Sequence, residues 1–259
     1  MSNNEVMNSN KLMNTGEINA QLNNRVYEIQ ISRGDKMNAL TDVMYGSLVE
    51  QLKHAENNDE VRVIFLRSDN KHFSAGNDLA DFLETEFNPE SNVVQFLLTL
   101  ARFTKPIICA VGGAAVGIGT TMLLHCDLVY AAENSKFSVP FIKLGLTPEG
   151  GSSVLLAKRC GIAKSNDWLF TGRTFIAQEA LDSGLVNNIF PDIEATWDEA
   201  RNSAESLAKS SSSVLNETKA LLKPEQDETV KTILKEAKVF AQCLKSEEAQ
   251  VAFNAFLKR

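Results

Sequence analysis

Histidine and cysteine are scarce in this chain, and the scarcity narrows the chemistry. The 259 residues hold only three histidines, His54, His72 and His125, with none at His-x-x-x-His or His-Glu-x-x-His spacing. A histidine-rich zinc centre is therefore not expected, and no metal is assigned. The four cysteines, Cys109, Cys126, Cys160 and Cys243, include no Cys-x-x-Cys pair and read as reduced thiols, mostly in the core. Positive charge is also in deficit: 26 Lys and Arg stand against 33 Asp and Glu, for a net charge of -7. An acidic surface of this kind argues against general phosphate-backbone binding, so no nucleic acid partner is expected.

Targeting signals are missing as well. Residues 1–24 are rich in Asn and carry no Arg, which fits neither an export signal nor an Arg-rich transit peptide. They read as a tail, flexible through residue 20. Eighteen uncharged residues from Ile107 to Leu124 reach the length of a short membrane span, but Gly112, Gly113, Gly117 and Gly119 interrupt them. They read instead as a buried strand, a turn and a helix. The expectation is a soluble, cytoplasmic protein that does not enter a membrane.

What is present is an α/β alternation. β-Branched runs at Val26–Ser32 and Val61–Arg67 flank a helix that Thr41 opens, with Met44, Leu48, Leu52 and Ala55 on one face. Val93, Val94, Leu97, Leu100 and Phe103 suit a second helix. Strands follow at Ile107–Val111, Leu128–Ala132, Lys136–Val139 and Val186–Phe190. After Pro191 the pattern turns helical, over about Ile193–Lys209, Val214–Leu222 and Glu225–Lys245, with a last helix to the end. The boundary is placed near 195, giving a core domain over 21–195 and a helical region over 196–259, with Ser210–Ser213 as an inter-helix loop. The apolar stripe Val230, Ile233, Leu234, Ala237, Phe240 and Ala241 needs a partner, either the core or another subunit.

Several nucleotide and hydrolase signatures fail. Gly117-x-Gly119-x-x puts Met122 where a dinucleotide fingerprint has its third glycine, and no Lys-Ser/Thr follows Gly112 to Gly117. Around Ser152 the fifth-position glycine of a nucleophile elbow is replaced by Val154.

Two other segments succeed together: Lys71-His72-Phe73-Ser74-Ala75-Gly76-Asn77-Asp78-Leu79, and the glycine-rich run from Ala110 to Asp127. With Met37-Asn38-Ala39-Leu40 before them, and Thr171-Gly172, Ala180–Val186 and Phe256 after, the chain resembles the crotonase (enoyl-CoA hydratase/isomerase) superfamily from about residue 20 onward. The resemblance implies a spiral of ββα units with a C-terminal helical trimerisation region, assembled as a homotrimer or a dimer of trimers. It implies an acyl-CoA thioester substrate and no separate cofactor, because coenzyme A belongs to the substrate.

The same resemblance assigns the site. A thioester enolate needs two backbone N–H groups aimed at its oxygen; the expected donors are Ala75 and Ile118, with Gly76 and Gly117 shaping the two turns. Asn77, Asp78 and Leu79 follow the first turn and are placed against the thioester, although Asp78 could equally cap the next helix. Lys36, Ala39 and Leu40 match a stretch that contacts coenzyme A in the family, with Gly34 where a proline is common. Phe256, with Lys258 or Arg259, matches a C-terminal element that reaches coenzyme A. Family hydratases carry glutamates at two positions that hold Thr121 and Phe141 here, so the two-carboxylate addition of water is not expected. A single carboxylate in Thr147-Pro148-Glu149-Gly150-Gly151-Ser152-Ser153 resembles the Δ3,Δ2-enoyl-CoA isomerase branch. Locally, Thr147 reads as a helix N-cap with Pro148 first in the helix and Glu149 in its first turn.

The expected activity is the shift of a 3-enoyl-CoA double bond to trans-2-enoyl-CoA, with Glu149 as acid and base, in unsaturated fatty acid metabolism. The alternatives are an isomerase of a ring-derived CoA thioester in aromatic acid catabolism, or a non-catalytic acyl-CoA-binding protein of the same fold.

Overall fold

The computed structural model describes residues 17–84 and 87–257, with side chains through residue 255 in the second stretch. A hairpin begins the fold. β1 (Ile18–Asn23) and β2 (Val26–Ile31) pair antiparallel, and Asn24 and Arg25 between them both have positive φ, the two-residue turn that matches strand twist. The tail expected over 1–20 therefore ends too late. Ile18 and Ala20 are buried in β1, an alternation hidden among asparagines; residues 1–16 lie outside the described set. α1 (Asp42–Asn57) starts at its expected cap, where Thr41 accepts the Met44 N–H, and Met44, Leu48, Leu52 and Ala55 are all buried. β3 (Val63–Ser68), α2 (Leu79–Glu84) and α3 (Asn92–Arg102) follow.

From here the chain alternates between two sheets. β4 (Ile107–Val111) joins the larger one, β5 (Ala114–Val116) the smaller, and the short α4 (Ile118–Thr121) turns the chain back. β6 (Leu128–Ala132) returns to the larger sheet and β7 (Lys136–Ser138) to the smaller. α5 (Ser152–Cys160) and α6 (Ile162–Thr171) then lead to β8 (Thr174–Ile176) in the smaller sheet, and α7 (Ala177–Asp182) to β9 (Asn188–Phe190) in the larger. The larger sheet runs β1-β2-β3-β4-β6-β9, parallel after its first pair, and the smaller runs β5-β7-β8. All five residues of β4 are buried, as a central parallel strand requires. β1, β5 and β8 escaped the sequence reading, the last two because three residues are too few to show a period.

Four helices complete the chain: α8 (Ile193–Ala208), α9 (Ser212–Leu222), α10 (Gln226–Leu244) and α11 (Glu247–Leu257). The boundary expected at 195 falls inside α8, whose Ala200, Ala204 and Ala208 pack on Val63, Phe65, Ile108 and Ala110 of the larger sheet. Ser212 and Ser213 belong to α9 rather than to a loop. On α10, Val230, Ile233, Ala237 and Phe240 are buried in this chain's own core, so most of the stripe finds its partner internally, although Leu234 remains 37% exposed. Among the described residues, no helix is long and apolar enough to cross a membrane.

Asp127 ties this helical region to the sheet. Its Oδ2 accepts the Ile107 N–H at 2.8 Å and pairs with Lys219 at 2.9 Å, while Oδ1 pairs with Lys223 at 2.7 Å. Burial alone would raise its pKa, but Lys219 and Lys223 outweigh that and hold it below the ordinary value. A depressed carboxylate pKa contributes stability above the unfolded value and loses it as pH falls through the folded one. Asp127→Ala should cost about 3–5 kcal/mol in urea unfolding near neutral pH, because it leaves Lys219 buried without its partner. A cost below about 1 kcal/mol, or a difference that does not shrink on acidification, would remove Asp127 from this role.

Candidate active site

The first turn is organised by Asn38. This residue is fully buried at positive φ, its side chain accepting the Arg33 N–H and donating to the His72 carbonyl, while its own carbonyl accepts the Ser74 hydroxyl. The strand-like pairing beside it decides which amide is free. Leu40 N–H donates to Gly76 O and Asp78 N–H to Leu40 O, both at 2.8 Å, in the pattern of a parallel bridge between Leu40 and Asn77. Asn77 therefore turns its own N–H to the opposite side, and that N–H has no acceptor among the described residues. The Ala75 N–H, expected as the donor, instead donates to Met37 O at 2.9 Å. The free amide of this turn sits two residues further on.

The second turn abuts the first. Ser74 bridges to Ala115 across the smaller sheet, with Ser74 N–H on Ala114 O and Val116 N–H on Ser74 O, each at 2.9 Å. Gly76 has φ +92, and a Cβ there would lie 2.9 Å from Val116 O, so only glycine allows this approach. Gly117, at φ +55, opens α4; its carbonyl accepts from Thr120 and Thr121, and the Ile118 N–H at the head of the helix is left without an acceptor among the described residues. Two unpaired amides, those of Asn77 and Ile118, thus come from adjacent turns.

Glu149 lies before α5 rather than inside it. Gly150 and Gly151 both adopt positive φ, which postpones the helix to Ser152 and leaves the Thr147-Pro148-Glu149 signature uncapped, with Thr147 Oγ1 unpaired. Glu149 is 5% exposed. Its Oε1 accepts the Thr121 hydroxyl, and its Oε2 is buried with no partner among the described residues. Burial drives the pKa up, the Thr121 hydroxyl draws it down and the Glu236 charge adds to the rise, for a net value of about 8. Around the carboxyl, Gly150 O meets His125 Nε2 at 2.8 Å. A carbonyl only accepts, so that nitrogen carries the proton; burial holds His125 neutral, with its pKa pushed down to about 4.

Apolar walls complete the surroundings. Phe141 stands beside Gly117, and its ring meets Phe240 edge-on at 6.4 Å. Phe240 in turn stacks on Phe87 at 4.8 Å and meets Phe82 at 6.0 Å. Leu79 opens α2 half-buried beside this cluster's helix. Asp78 turns away from the amides: it pairs with Arg33 at 2.8 Å and accepts the Ala80 and Asp81 N–H groups, which makes it the cap of α2. Lys36 lies exposed on a single 3-10 turn, Ala39 is half-buried, and the Leu40 side chain is in the core. Phe256 is on α11; its side chain, Lys258 and Arg259 lie outside the described residues.

Residues 21–259 match the sequence model of a family described as enoyl-CoA hydratase/isomerase. The chain belongs to that family. Its fold is that of the crotonase superfamily: the solved structure of Pseudomonas aeruginosa OdaA superposes with a TM-score of 0.92 at 38% identity, covering 95% of this chain and 100% of that one. Enoyl-CoA delta isomerase 2 of Rattus norvegicus is 36% identical over 174 residues, 64% of this chain and 44% of the rat protein. The 2,3-dehydroadipyl-CoA hydratase of Escherichia coli (strain K12) is 29% identical over 238 residues, 91% of this chain and 93% of that protein. Hydratase and isomerase names both occur among the relatives.

Three residues of this family member's site escaped the sequence reading. Tyr45 donates its buried hydroxyl to Asn77 Oδ1 and feels the Glu149 charge. His125 passed as a lone histidine. Glu236 had a legible signal, a carboxylate in step with Ile233, Ala237 and Phe240 on an apolar face.

The raised Glu149 pKa has a stability consequence. Between the ordinary value of 4.5 and about 8 the folded protein keeps a proton that the unfolded chain has released, so stability falls as pH rises through that window. On going from about pH 5 to about pH 9, the wild type should lose roughly 3–5 kcal/mol relative to Glu149→Gln in urea unfolding. Parallel stability curves for the two proteins would mean that the carboxyl ionises as it does in water.

Proposed function

We propose that this enzyme is an acyl-CoA isomerase that moves the double bond of a 3-enoyl-CoA into trans-2 conjugation with the thioester. The observation that carries the reading is the buried Glu149 carboxyl, one oxygen of which has no partner among the described residues, bonded to the same short helix whose first N–H, with that of Asn77, has no acceptor among them. The two hydratase carboxylate positions hold Thr121 and Phe141, and Thr121 serves the Glu149 carboxyl instead of acting on water.

In this mechanism the ionised Oε2 of Glu149 takes a proton from C2. The C–H electron pair passes into the thioester, and the resulting dienolate oxygen receives the Asn77 and Ile118 N–H groups, with the α4 N-terminus behind the second. The same carboxyl returns the proton at C4, the C3–C4 π bond becomes C2–C3, and no water or redox partner is consumed. One carboxyl suffices because proton removal and return occur on one face. The aromatic wall of Phe141, Phe240 and Phe82 keeps water out, which strengthens the two amide interactions. A coenzyme A contact by Lys36 belongs to the same proposal and is supported by that side chain's exposure near the first turn. So does self-association, supported by the large apolar side chains left on the surface: Phe170 is 74% exposed and Leu221 80%. Light scattering should then find an oligomer, with a monodisperse monomer as the contrary result.

The test follows absorbance of the conjugated thioester when purified enzyme meets a medium-chain 3-enoyl-CoA. A rapid rise is expected, with hydration of 2-enoyl-CoA negligible in parallel. Glu149→Gln should lower kcat about 10²- to 10⁴-fold while KM changes by less than about threefold. Because the base must be ionised, kcat/KM should climb with pH and level off above about 8. Full turnover by the Gln variant would take Glu149 out of the reaction, and efficient hydration would replace this reading.

A further inference from the structure

Glu236 stands on the buried face of α10, 8% exposed, on the same side as Ile233, Ala237 and Phe240. It forms no ion pair among the described residues. Burying a carboxylate without a cation is costly unless its oxygens are well bonded. Here they reach across to the loop after Glu149: Oε2 accepts the Gly151 N–H at 2.6 Å and Oε1 accepts the Ser153 N–H at 2.9 Å. His125 holds the other side of the same loop through Gly150 O. Ser152 closes the turn on Glu149 O through its N–H at 3.1 Å and its hydroxyl at 2.5 Å, and the two successive glycines at positive φ make its path depend on such bonds.

We infer that Glu236 is a positioning residue for Glu149, sent from the C-terminal helices to lock the two-glycine turn and so to set the direction of the free Oε2. The inference rests on the reading of Glu149 as the acid and base. Glu236 also acts by charge. Burial and the Glu236 carboxylate together raise the proton affinity of Glu149. The other groups facing Glu149 are the Thr121 hydroxyl from α4 and the Tyr45 phenol from α1, the latter also under Asp42 and Asp81. His125 beside the loop is neutral, with Lys219, Lys223 and Arg159 around it. None of these supplies a cation to the Glu149 carboxyl directly.

A residue that merely capped α5 would lower stability on replacement and leave kcat of the folded protein unchanged, and this separates the two roles. Glu236→Gln removes the charge; Glu236→Asp keeps it and shortens the reach by one methylene, and carries the test if the Gln variant is too unstable to purify. Two readouts are taken on the full chain. The first is the pH profile of kcat and KM with a 3-enoyl-CoA. The second is the infrared signal of the protonated Glu149 carboxyl, wild type minus Glu149→Gln, titrated without substrate. Glu236→Gln should move that titration down by about one pH unit and lower kcat about tenfold with KM within about twofold. Glu236→Asp should lower kcat by a similar factor while the titration stays near that of the wild type. Wild-type kcat and titration in Glu236→Gln, or wild-type kcat in a folded Glu236→Asp, would overturn the inference. A shifted titration in a protein that isomerises no 3-enoyl-CoA would uphold the link between the two carboxyls and sink the substrate reading alone.

Discussion

Glu149 gives up nearly all of its water on folding and receives no cation in exchange, and the surrounding elements are arranged around that cost. A hydroxyl from α4 serves one oxygen, a neutral histidine and a second carboxylate fix the loop from either side, and the remaining oxygen is kept free. The same exclusion of water that lifts the carboxyl pKa also makes the nearby backbone amides stronger partners for a developing oxyanion. Proton affinity and charge stabilisation are thus two consequences of one dry environment.

The helical region after β9 is part of this arrangement. α8 seals the outer face of the larger sheet with alanines small enough to let it approach closely. α9 is fastened by Lys219 and Lys223 to Asp127, at the strand end beside the turn that contains His125. α10 delivers both Phe240 to the aromatic wall and Glu236 to the loop after Glu149. Glu236 therefore meets Glu149's loop from 85 and 83 positions away, at Gly151 and Ser153, and the loop bonds described above include these helices.

Local pattern carried much of this. The 3.6-residue period of Met44, Leu48, Leu52 and Ala55 located α1, the uniform apolar run of Ile107–Val111 located the central strand, and the two glycine-bearing motifs located the amide turns. Where the reading missed, the deciding fact was pairing at a distance. The sequence reading put the donor at Ala75; Met37 O, approaching from another segment, takes that N–H and Leu40 O takes the one of Asp78, which leaves Asn77 without an acceptor among the described residues. Thr147-Pro148-Glu149 obeys the rules for a helix start, yet Gly150 and Gly151 adopt a conformation that a linear rule does not weigh. Asp78 fulfilled its plainer reading as a cap. Glu236 shows the converse: a charge in phase with an apolar stripe is a legible anomaly, but only the fold reveals which loop it serves.

The two halves of the chemistry differ in how they depend on genetic change. In the proposed mechanism the oxyanion donors are main-chain amides, so ordinary replacements of Asn77 or Ile118 alter a side chain and leave the N–H in place; only proline deletes it. In the same proposal, proton handling hangs on the Glu149 side chain and the Thr121 hydroxyl bonded to it. On that proposal, a scaffold built this way keeps its hold on an enolate while the identity of the acid and base, and hence the reaction, changes with single codons.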